Sequence, residues 1–421
     1  MKVMLLSMPR EGETVDYTTA EFFQSDVVTY IPLGILSVAR GISQSHKVKI
    51  LDAASLGLSI DNTIAEIKAF EPDVLGLSVP TQRAYAMAEI LRQTKVPMKA
   101  VGGPHATYYA KESLALGADA VFIGDGDYNF GAWIDGEHKP GIFNDYIEDI
   151  SSLSFPRYEI LNMEDYVVKE GEASDTLFKK AGARLTMYSS KGCPNRCVFC
   201  DVQEKKFRYK NAKRVVDEME FLLSIGANYV HIMDDCFNTR SNRVLEVCEE
   251  IKRRGLKFAW SARGRVVNNH KIIQALSEAG CQRLHVGIES LDLDVLRWMK
   301  KNLDVETIRG FCKGCKEFGI DVLAYFMIGA PVETREYRQS LPDMIRELEI
   351  TYPYFNLLNP RAHTEYYESL LRDGTFKRDY WQEYCENPTP NYKLPLPYPE
   401  DVHLELQKTM DRYVKEFYGE Y

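Results

Sequence analysis

Short apolar runs alternate with helical stretches over two long blocks of this 421-residue chain. Such alternation is typical of βα units, because buried parallel strands read as continuous apolar runs joined by helices. Residues 1–140 are therefore predicted to form a doubly wound parallel sheet of the flavodoxin or Rossmann type. Residues 182–360 hold six further units of longer period, which predicts a partial, TIM-like (β/α)6 barrel that is open on one side. Residues 141–181 are expected to be a linker, because Ser151–Pro156 is a cluster of breakers.

Residues 361–421 depart from this pattern and are predicted to form a small helical segment that covers the barrel. The stretch Asp379–Tyr398 is dense in aromatic residues and prolines, and a helix over Pro399–Tyr418 closes the chain. An aromatic cover of this kind either lines a substrate cavity or only shields the open side of the barrel. The sequence leaves both roles open.

The bulk composition excludes several classes of function. The chain has 52 Lys and Arg against 61 Asp and Glu, a net charge of −9, so it lacks the basic surface that binds nucleic acid or an anionic membrane. No apolar run approaches the roughly 20 residues that cross a bilayer. The start Met1–Pro9 resembles a strand and is too short for a signal peptide. Nine cysteines without a paired framework indicate a reducing cytoplasm.

The segment Lys191–Asp201 carries the strongest chemical signal. Cys193, Cys197 and Cys200 have the spacing Cys-x3-Cys-x2-Cys, and the aromatic Phe199 directly precedes the third cysteine. Three soft thiolates on one tight loop suit an iron–sulfur cluster, and three protein ligands leave one iron open to a small molecule. The alternatives are a zinc knuckle or incidental thiols. A structural zinc site takes four protein ligands, and no fourth cysteine follows nearby.

This motif resembles that of the radical S-adenosylmethionine (SAM) superfamily. The resemblance implies a 4Fe-4S cluster on Cys193, Cys197 and Cys200, whose open iron chelates the amino and carboxylate groups of SAM. Reduction of the sulfonium then yields a 5′-deoxyadenosyl radical, which abstracts hydrogen from an unactivated carbon. Such chemistry is sensitive to oxygen and implies an anaerobic setting.

Polar side chains are expected at the carboxyl ends of the barrel strands, where barrel enzymes place their chemistry. The planar fork of Arg263 matches a carboxylate, and Glu289 can accept hydrogen bonds from ribose hydroxyls or an amino group. Asp234 and Asp235 follow the second strand, and their alternative role is to cap the next helix. By the resemblance, the residues that bind SAM are Phe199, Asp234, Asp235, Ser261, Arg263, Glu289 and Ile328.

Glycine and small polar residues follow several strands of the first block, at Ser78–Thr81, Gly102–Thr107 and Gly124–Asp127. A ligand sits at such strand ends, although a generic flavodoxin-like scaffold also places glycines there. The set is similar to the cobalamin-binding domain of cobalamin-dependent radical SAM enzymes, a resemblance that covers residues 1–130 and continues through the barrel. It implies that cobalamin is bound by Pro9, Leu33, Gly34, Asp52, Ser78, Thr81, Gly102, Gly103, His105, Gly124 and Gly126.

One departure from classical cobalamin proteins concerns the lower ligand of cobalt. Their Asp-x-His-x-x-Gly motif supplies a histidine, whereas Ala54 occupies that place in the stretch Asp52–Gly57. An imidazole ligand from that position is impossible. His105 is a candidate substitute, but a histidine in a turn more often makes backbone hydrogen bonds.

Other cysteines and histidines are assigned structural roles. Cys312 and Cys315 lie three apart in a helix-like stretch and are expected to be buried thiols rather than ligands of a second cluster. His231 and His285 alternate within barrel strands, so they are expected to pack or hydrogen-bond inside the barrel.

The resemblance implies a cobalamin-dependent radical SAM methyltransferase that acts on an sp3 carbon. One SAM would methylate cobalamin and a second would yield the radical, so cobalt, the 5′ carbon and the substrate carbon must meet between the two domains. The expected partners are a peptide, protein or small-molecule methyl acceptor and an external one-electron reductant, ferredoxin or flavodoxin. Two alternatives stay open: cobalamin-dependent ring closure, dehydrogenation or epimerisation, and a cobalamin or redox sensor without turnover.

Overall fold

The computed structural model describes residues 1–15, 30–136, 138–168, 182–202 and 204–419. In these residues two α/β domains follow one another along the chain, as the strand–helix alternation predicts. The strands and helices below are numbered in chain order.

The first domain is a six-stranded, all-parallel sheet with the order β2-β1-β3-β4-β5-β6. The strands are β1 Lys2–Ser7, β2 Lys47–Asp52, β3 Val74–Ser78, β4 Met98–Gly102, β5 Ala120–Gly124 and β6 Gly141–Asp145. The helices are α1 Leu33–Ala39, α2 Ile60–Phe70, α3 Ala84–Gln93, α4 Pro104–Tyr108, α5 Ala110–Ala115 and α6 Asn129–Asp135. Apolar clusters cover both faces of this sheet, which is why its central strands are continuous apolar runs.

The strand order reverses at β1, so β1 and β3 flank the topological switch point at which ligands of doubly wound sheets bind. The sheet also extends further than expected. β6 pairs in parallel with β5 up to Asp145, so the predicted boundary at residue 140 cuts off the last strand. Exposed and half-buried residues alternate along β6, a pattern that lacks the apolar run of the inner strands.

The second domain is the expected partial barrel, with strand order β15-β14-β13-β12-β11-β8-β7. Its six parallel strands are β8 Gly182–Met187, β11 Tyr229–Ile232, β12 Ala259–Gly264, β13 Cys281–Glu289, β14 Asp321–Ile328 and β15 Tyr352–Leu357. Its helices are α7 Ala212–Ser224, α8 Ser241–Arg253, α9 His270–Glu278, α10 Leu293–Trp298, α11 Val305–Glu317 and α12 Arg335–Glu347. The short strand β7 Val167–Val168 is antiparallel to β8, and in the described residues β15 does not pair with β7 or β8, so the barrel is open.

The segment between the domains wraps from one to the other, as expected of the linker. Tyr158 is fully buried and donates its hydroxyl to Glu218 of α7 at 2.9 Å. Tyr166 donates to Asp52 at the end of β2 at 3.0 Å. The segment therefore ties the barrel to the first sheet.

The C-terminal cover has two parts with different roles. The helix α15 Glu400–Tyr418 buries Leu406, Met410 and Tyr413 against the barrel core at β15. The helices α13 Glu365–Arg372 and α14 Tyr380–Glu386 pack in an apolar cluster that contains residues of both domains, among them Ala84 and Tyr109 of the first domain and Val295 and Met299 of the barrel. Tyr384 of α14 donates to the carbonyl of Gln82 at 3.1 Å and accepts from the backbone N–H of Tyr85, in the first turn of α3, at 3.2 Å.

In the described part of the chain, no helix has both the length and the apolar character that crossing a membrane requires.

Candidate active site

The loop that carries Cys193, Cys197 and Cys200 follows the first barrel strand, where the sequence predicts the site. It is entered through a two-residue strand β9 Ser190–Lys191, which pairs antiparallel with β10 Arg208–Tyr209. Gly192 has φ +81°, and a Cβ there would come within 2.3 Å of a backbone carbonyl, so only glycine fits this turn. The loop is therefore fixed at its entry by backbone geometry.

Backbone hydrogen bonds fix the rest of the cluster loop. Val198 donates to the carbonyl of Met299 at 3.2 Å and accepts from the N–H of Tyr366 at 2.9 Å. Phe199 packs in the apolar cluster that also contains Trp298 and Tyr366. Phe199 thus anchors the loop to the barrel and the C-terminal cover, and its predicted contact with SAM stays a prediction.

The thiols of the loop differ from the other cysteines. Cys193, Cys197 and Cys200 are partly exposed, whereas the remaining six cysteines are buried. No three His, Cys, Asp or Glu side chains of the described residues lie close enough together to hold a single metal ion. As three accessible soft donors on one loop, these thiols fit an iron–sulfur cluster.

The three thiols also differ in acidity. A hydrogen bond from the thiol of Cys236 lowers the pKa of Cys193, and the Asn195 amide, 3.1 Å from the Cys193 sulfur, adds to this effect. Burial raises the pKa of Cys197, and burial raises the pKa of Cys200 to about 11. Cys236 was not predicted from the sequence, because its proximity to Cys193 depends on how β11 and the loop meet.

Asp234 supports the cluster loop rather than presenting a free carboxylate. Its two oxygens accept from the N–H and hydroxyl groups of Ser189 and Ser190, at 2.5 to 3.0 Å. Asp235 accepts from the N–H of Gly192 at 3.0 Å. Neither carboxylate caps the next helix, whose N-cap residue Arg240 makes no side-chain cap. We therefore assign Asp234 a positioning role in place of the predicted binding role.

Glu289 is placed as the sequence predicts, at the end of β13 beside the cluster loop. It is 6% exposed, and its Oε1 pairs with Lys301 at 3.2 Å. Its Oε2 is buried and has no hydrogen-bond partner among the described residues. The charges of both Lys301 and Glu289 act on the thiol of Cys197. An orphaned carboxylate oxygen at this place fits a SAM hydroxyl or amino group.

Arg263 lies at the end of β12 and Arg265 follows directly after it, and of the two it is Arg265, for which the sequence predicted no role, that contacts the cluster loop. Arg263, the predicted carboxylate clamp, points into the barrel and hydrogen-bonds Tyr30. Arg265 instead donates to Asn195, and its charge acts on the thiols of Cys193 and Cys197. Arg265 is therefore the guanidinium beside the cluster, and the two-residue period of the strand explains why Arg263 was the plausible alternative.

Two other residues that were predicted to contact SAM, Ser261 and Ile328, have buried side chains. Ser261 is fully buried inside the barrel and lies 2.6 Å from Nδ1 of His231. The side chain of Ile328 is buried in the apolar core of the barrel, whereas that of its neighbour Met327 is partly exposed. These side chains shape the barrel rather than its rim.

A cavity of about 160 Å³ opens at the switch point of the first sheet. Six of the predicted cobalamin residues line it: Gly34, Ser78, Gly102, Gly103, Gly124 and Gly126. A Cβ on Gly34 or Gly102 would meet no atom closer than 3.8 Å, so any larger side chain would fill the cavity. Gly103 has φ +87° and lies against the backbone of Val79. This cradle of glycines fits a large flat ligand such as a corrin or its nucleotide tail.

The remaining predicted cobalamin residues do not line this cavity. Pro9 and Leu33 are buried, Thr81 begins a short helical turn, and Asp52 accepts from Ser55 and Tyr166. His105 is also buried away from the cavity.

His105 does not behave as a turn histidine that hydrogen-bonds the backbone. Its ring stacks on Tyr109 with centroids 5.3 Å apart, and neither ring nitrogen has a hydrogen-bond partner among the described residues. Burial lowers its pKa to about 4. Nothing in this position brings His105 to the cavity as a cobalt ligand.

The barrel domain contributes Tyr188 and Lys191 to the same cavity. Lys191 pairs with Asp125 at 2.6 Å, and Arg208 pairs with the same carboxylate at 2.5 Å. Burial raises the pKa of Asp125, but these two cations outweigh it and the net pKa lies below its usual value. We call the ion pairs of Asp125 with Lys191 and Arg208 the ionic lock between the domains. The sequence did not predict it, although Asp125 and Asp127 lie in the segment Gly124–Asp127 that was expected to face a ligand.

Comparison with known proteins agrees with this geometry. Residues 187–345 match the model of the radical SAM superfamily, and residues 25–133 match that of the B12 binding domain. An uncharacterized methyltransferase of Pyrococcus horikoshii is 28% identical over 416 residues, which cover 91% of this chain and 86% of the relative. The cytidylyl-2-hydroxyethylphosphonate methyltransferase of Streptomyces wedmorensis is 25% identical, with 85% and 81% covered.

A solved structure shares the fold of both domains. The radical SAM methyltransferase TsrM from Kitasatospora setae, with cobalamin and a 4Fe-4S cluster bound, superposes with a TM-score of 0.63 at 17% identity. The match covers 88% of this chain and 75% of TsrM.

The fold and the site together define a radical SAM enzyme with a cobalamin-binding domain. The chain combines a radical SAM domain with a B12 binding domain, and the relatives that it resembles are named methyltransferases. Its cofactors are a 4Fe-4S cluster, SAM and cobalamin.

Proposed function

We propose that this enzyme methylates a carbon atom of its acceptor at the seam between the two domains. The observation that carries the proposal is the shared lining of the cobalamin-side cavity. Tyr188 and Lys191 of the barrel domain line this cavity, and Lys191 lies two residues before Cys193. A reacting molecule between the domains would thus contact both cofactor sites.

When bound, SAM at the cluster supplies a 5′-deoxyadenosyl radical and cobalamin supplies a methyl group. The residues of this chain then have binding and positioning roles. Glu289 offers an unpaired carboxylate oxygen to a SAM hydroxyl or amino group, and Arg265 holds Asn195 against Cys193. The ion pairs of Asp125 with Lys191 and Arg208 fix the distance between the two sites.

A carbon acceptor is favoured by the chemistry that these cofactors supply. A nitrogen or oxygen nucleophile can displace the methyl group of SAM directly and needs no hydrogen-abstracting radical. An unactivated carbon needs the radical, because its C–H bond must first be broken. The proposal includes an external one-electron reductant, ferredoxin or flavodoxin, because the cluster must be reduced before SAM is cleaved.

The acceptor itself is proposed to be a small molecule. The relative from Streptomyces wedmorensis is named for a small phosphonate, which supports this choice over a peptide or protein side chain.

The test is an anaerobic incubation of the reconstituted holoenzyme with reductant, trideuteriomethyl SAM and a lysate of the source organism. We expect S-adenosylhomocysteine, 5′-deoxyadenosine and a product that has gained one trideuteriomethyl group on carbon. A product that loses two hydrogens without gaining the label would support dehydrogenation instead. The absence of both SAM-derived products would support a sensor.

A further inference from the structure

Five polar side chains meet inside the barrel, and we call them the lumen cluster: Tyr30, His231, Arg263, His285 and Tyr325. His231 lies on β11 and His285 on β13, two strands that are separated by β12. Their ring centroids are nevertheless only 4.7 Å apart, so both rings point to the concave side of the sheet. Tyr30, from the first domain, stacks on His231 at 6.0 Å.

The two histidines carry hydrogen-bonding capacity that the protein does not use. They are 1% and 2% exposed, and the Nε2 atom of each has no hydrogen-bond partner among the described residues. An unpaired buried polar atom costs about 1–3 kcal/mol, so such atoms in a native fold call for an explanation. A ligand inside the barrel would supply the missing partner.

A hydroxyl group contacts the other ring nitrogen, Nδ1, of each histidine, so each Nε2 atom can act as a donor. Nδ1 of His231 lies 2.6 Å from the hydroxyl of Ser261, and Nδ1 of His285 lies 3.4 Å from the hydroxyl of Tyr325. Burial lowers the pKa of both rings well below the usual range, so each ring is neutral and has one N–H. If the hydroxyls donate to Nδ1, the proton lies on Nε2.

The positive charge of Arg263 inside the barrel also lacks a carboxylate partner among the described residues. Arg263 is surrounded by the hydroxyls of Tyr30, Tyr188 and Tyr325, and no carboxylate of the described residues pairs with it. Its Nε is buried without a hydrogen-bond partner in the same part of the chain. A buried guanidinium is normally paired, because removing it from water is costly. Glu289, at the end of β13, is already paired with Lys301.

The lumen cluster is distinct from the groups beside the iron–sulfur cluster. Arg265 acts on the thiols of Cys193 and Cys197, whereas Arg263 acts on none of the three loop thiols. The strand register also places Arg263 deeper in the barrel than the cluster loop. Arg263 lies level with His285 in the sheet, below Glu289 at the end of β13. The carboxylate of SAM is therefore better matched to Arg265 than to Arg263.

We propose that the lumen cluster binds the carboxylate or phosphate group of an anionic small-molecule methyl acceptor. Arg263 supplies the charge, and the N–H groups of His231 and His285 supply directed hydrogen bonds. The depth of the cluster favours a small molecule, because a macromolecule could reach these rings only with a chain end. This inference rests on the proposed function for the identity of the ligand as methyl acceptor.

The first test measures anion binding without turnover. Inorganic phosphate and propanoate are titrated by calorimetry into the reconstituted holoenzyme, with saturating SAM present throughout. We expect one saturable site for at least one of the two anions, and at least a tenfold weaker affinity in Arg263→Gln, because a hydrogen bond to a charged group contributes about 1.5–3 kcal/mol. Arg253→Gln on the exposed face of α8 is the matched control and should bind as the parent does.

Further variants keep this test decisive if Arg263→Gln misfolds. Arg263→Lys keeps the charge without the planar fork and should bind with intermediate affinity. His231→Gln and His285→Gln should each weaken binding several-fold while the cobalamin and cluster absorption bands persist. Equal affinity in the parent and in all folded lumen variants would overturn the inference. Anion binding that is detected only when SAM is omitted would also overturn it, because SAM would then occupy the site.

The second test separates this inference from the proposed function. The small molecules of the lysate are passed over an anion exchanger, and both fractions are assayed for label from trideuteriomethyl SAM. We expect transfer only to the retained, anionic fraction. Transfer only to the unretained fraction, or to the macromolecular fraction, would refute the lumen inference and leave carbon methylation standing. Anion binding without any methyl transfer would refute the proposed function and leave the anion site standing.

Discussion

The two cofactor regions of this enzyme differ in how far backbone and side chains determine their shape. The cobalamin-side cavity is shaped by backbone: glycines at strand ends leave space that a single Cβ would begin to fill. The cluster loop depends on side-chain hydrogen bonds as well as on its backbone, because Asp234 holds Ser189 and Ser190 while Arg265 holds Asn195. We therefore expect added volume to matter most at the glycines of the cavity, and loss of a polar side chain or thiol to matter most in the cluster loop.

The largest expected effect lies in the cluster loop. Cys197→Ala removes one of three ligands, so we expect loss of the cluster iron and of 5′-deoxyadenosine formation, with folding retained. Cys312→Ala is the matched control, because that thiol is buried in the outer barrel core. It should keep full iron content and reduce only stability. Iron analysis of anaerobically purified proteins checks both, and an active Cys197→Ala enzyme would remove the basis of the comparison.

The next effect concerns volume at the cobalamin-side cavity. The Cβ of Gly102→Ala would meet no atom closer than 3.8 Å, so this variant should bind cobalamin almost normally. Gly102→Leu fills the cavity, and we expect cobalamin affinity to fall at least tenfold while cluster iron is unchanged. Cobalamin titration followed by absorbance measures this. Normal binding by Gly102→Leu would place cobalamin elsewhere.

A smaller effect is expected where the two regions are joined. Lys191→Met leaves Asp125 paired only with Arg208 and should cost about 1–3 kcal/mol of unfolding free energy, with weaker cobalamin binding. The control Lys206→Met breaks an exposed pair with Glu148 and should cost about 0–1 kcal/mol. Urea unfolding gives both values. Equal costs would show that the ionic lock between the domains has no special strength.

The smallest effect is a difference in thiol reactivity in the cluster-free protein. The hydrogen bond from Cys236 lowers the pKa of Cys193, whereas burial raises the pKa of Cys197 and Cys200. Near neutral pH Cys193 therefore has the largest thiolate fraction and should be alkylated first by iodoacetamide. Cys236→Ala should raise the pKa of Cys193 and slow its alkylation. Mass spectrometry of timed digests resolves the order, and equal rates at the three cysteines would contradict the assignment.

The sequence could predict the features that the backbone determines. The order of strands and helices, the position of the cluster loop and the glycines of the cavity all follow from local patterns, because apolar runs indicate strands and glycines mark the ends of strands. The sequence could not distinguish Arg263 from Arg265, because the two residues lie only two positions apart at the end of β12 and just beyond it, and only their contacts with Tyr30 and Asn195 separate them. The pairing of Lys191 with Asp125 joins residues 66 positions apart and left no local pattern.

The linker boundary was missed for a related reason. β6 is an edge strand in which half-buried and exposed residues alternate, so it lacks the apolar run that revealed the other five strands of the sheet. His105 was an ambiguous case, because its identity suggested a ligand while its surroundings made it a buried partner of Tyr109.

The most direct test of the shared seam is the magnetic interaction between the two metal centres in the reconstituted enzyme. Electron paramagnetic resonance of the one-electron-reduced cluster together with cob(II)alamin should show a broadened, faster-relaxing cobalt signal. The same protein with the cluster left oxidised should show the narrow cobalt signal. A cobalt spectrum that is identical in the two states would place the two centres far apart and contradict a common reaction cavity.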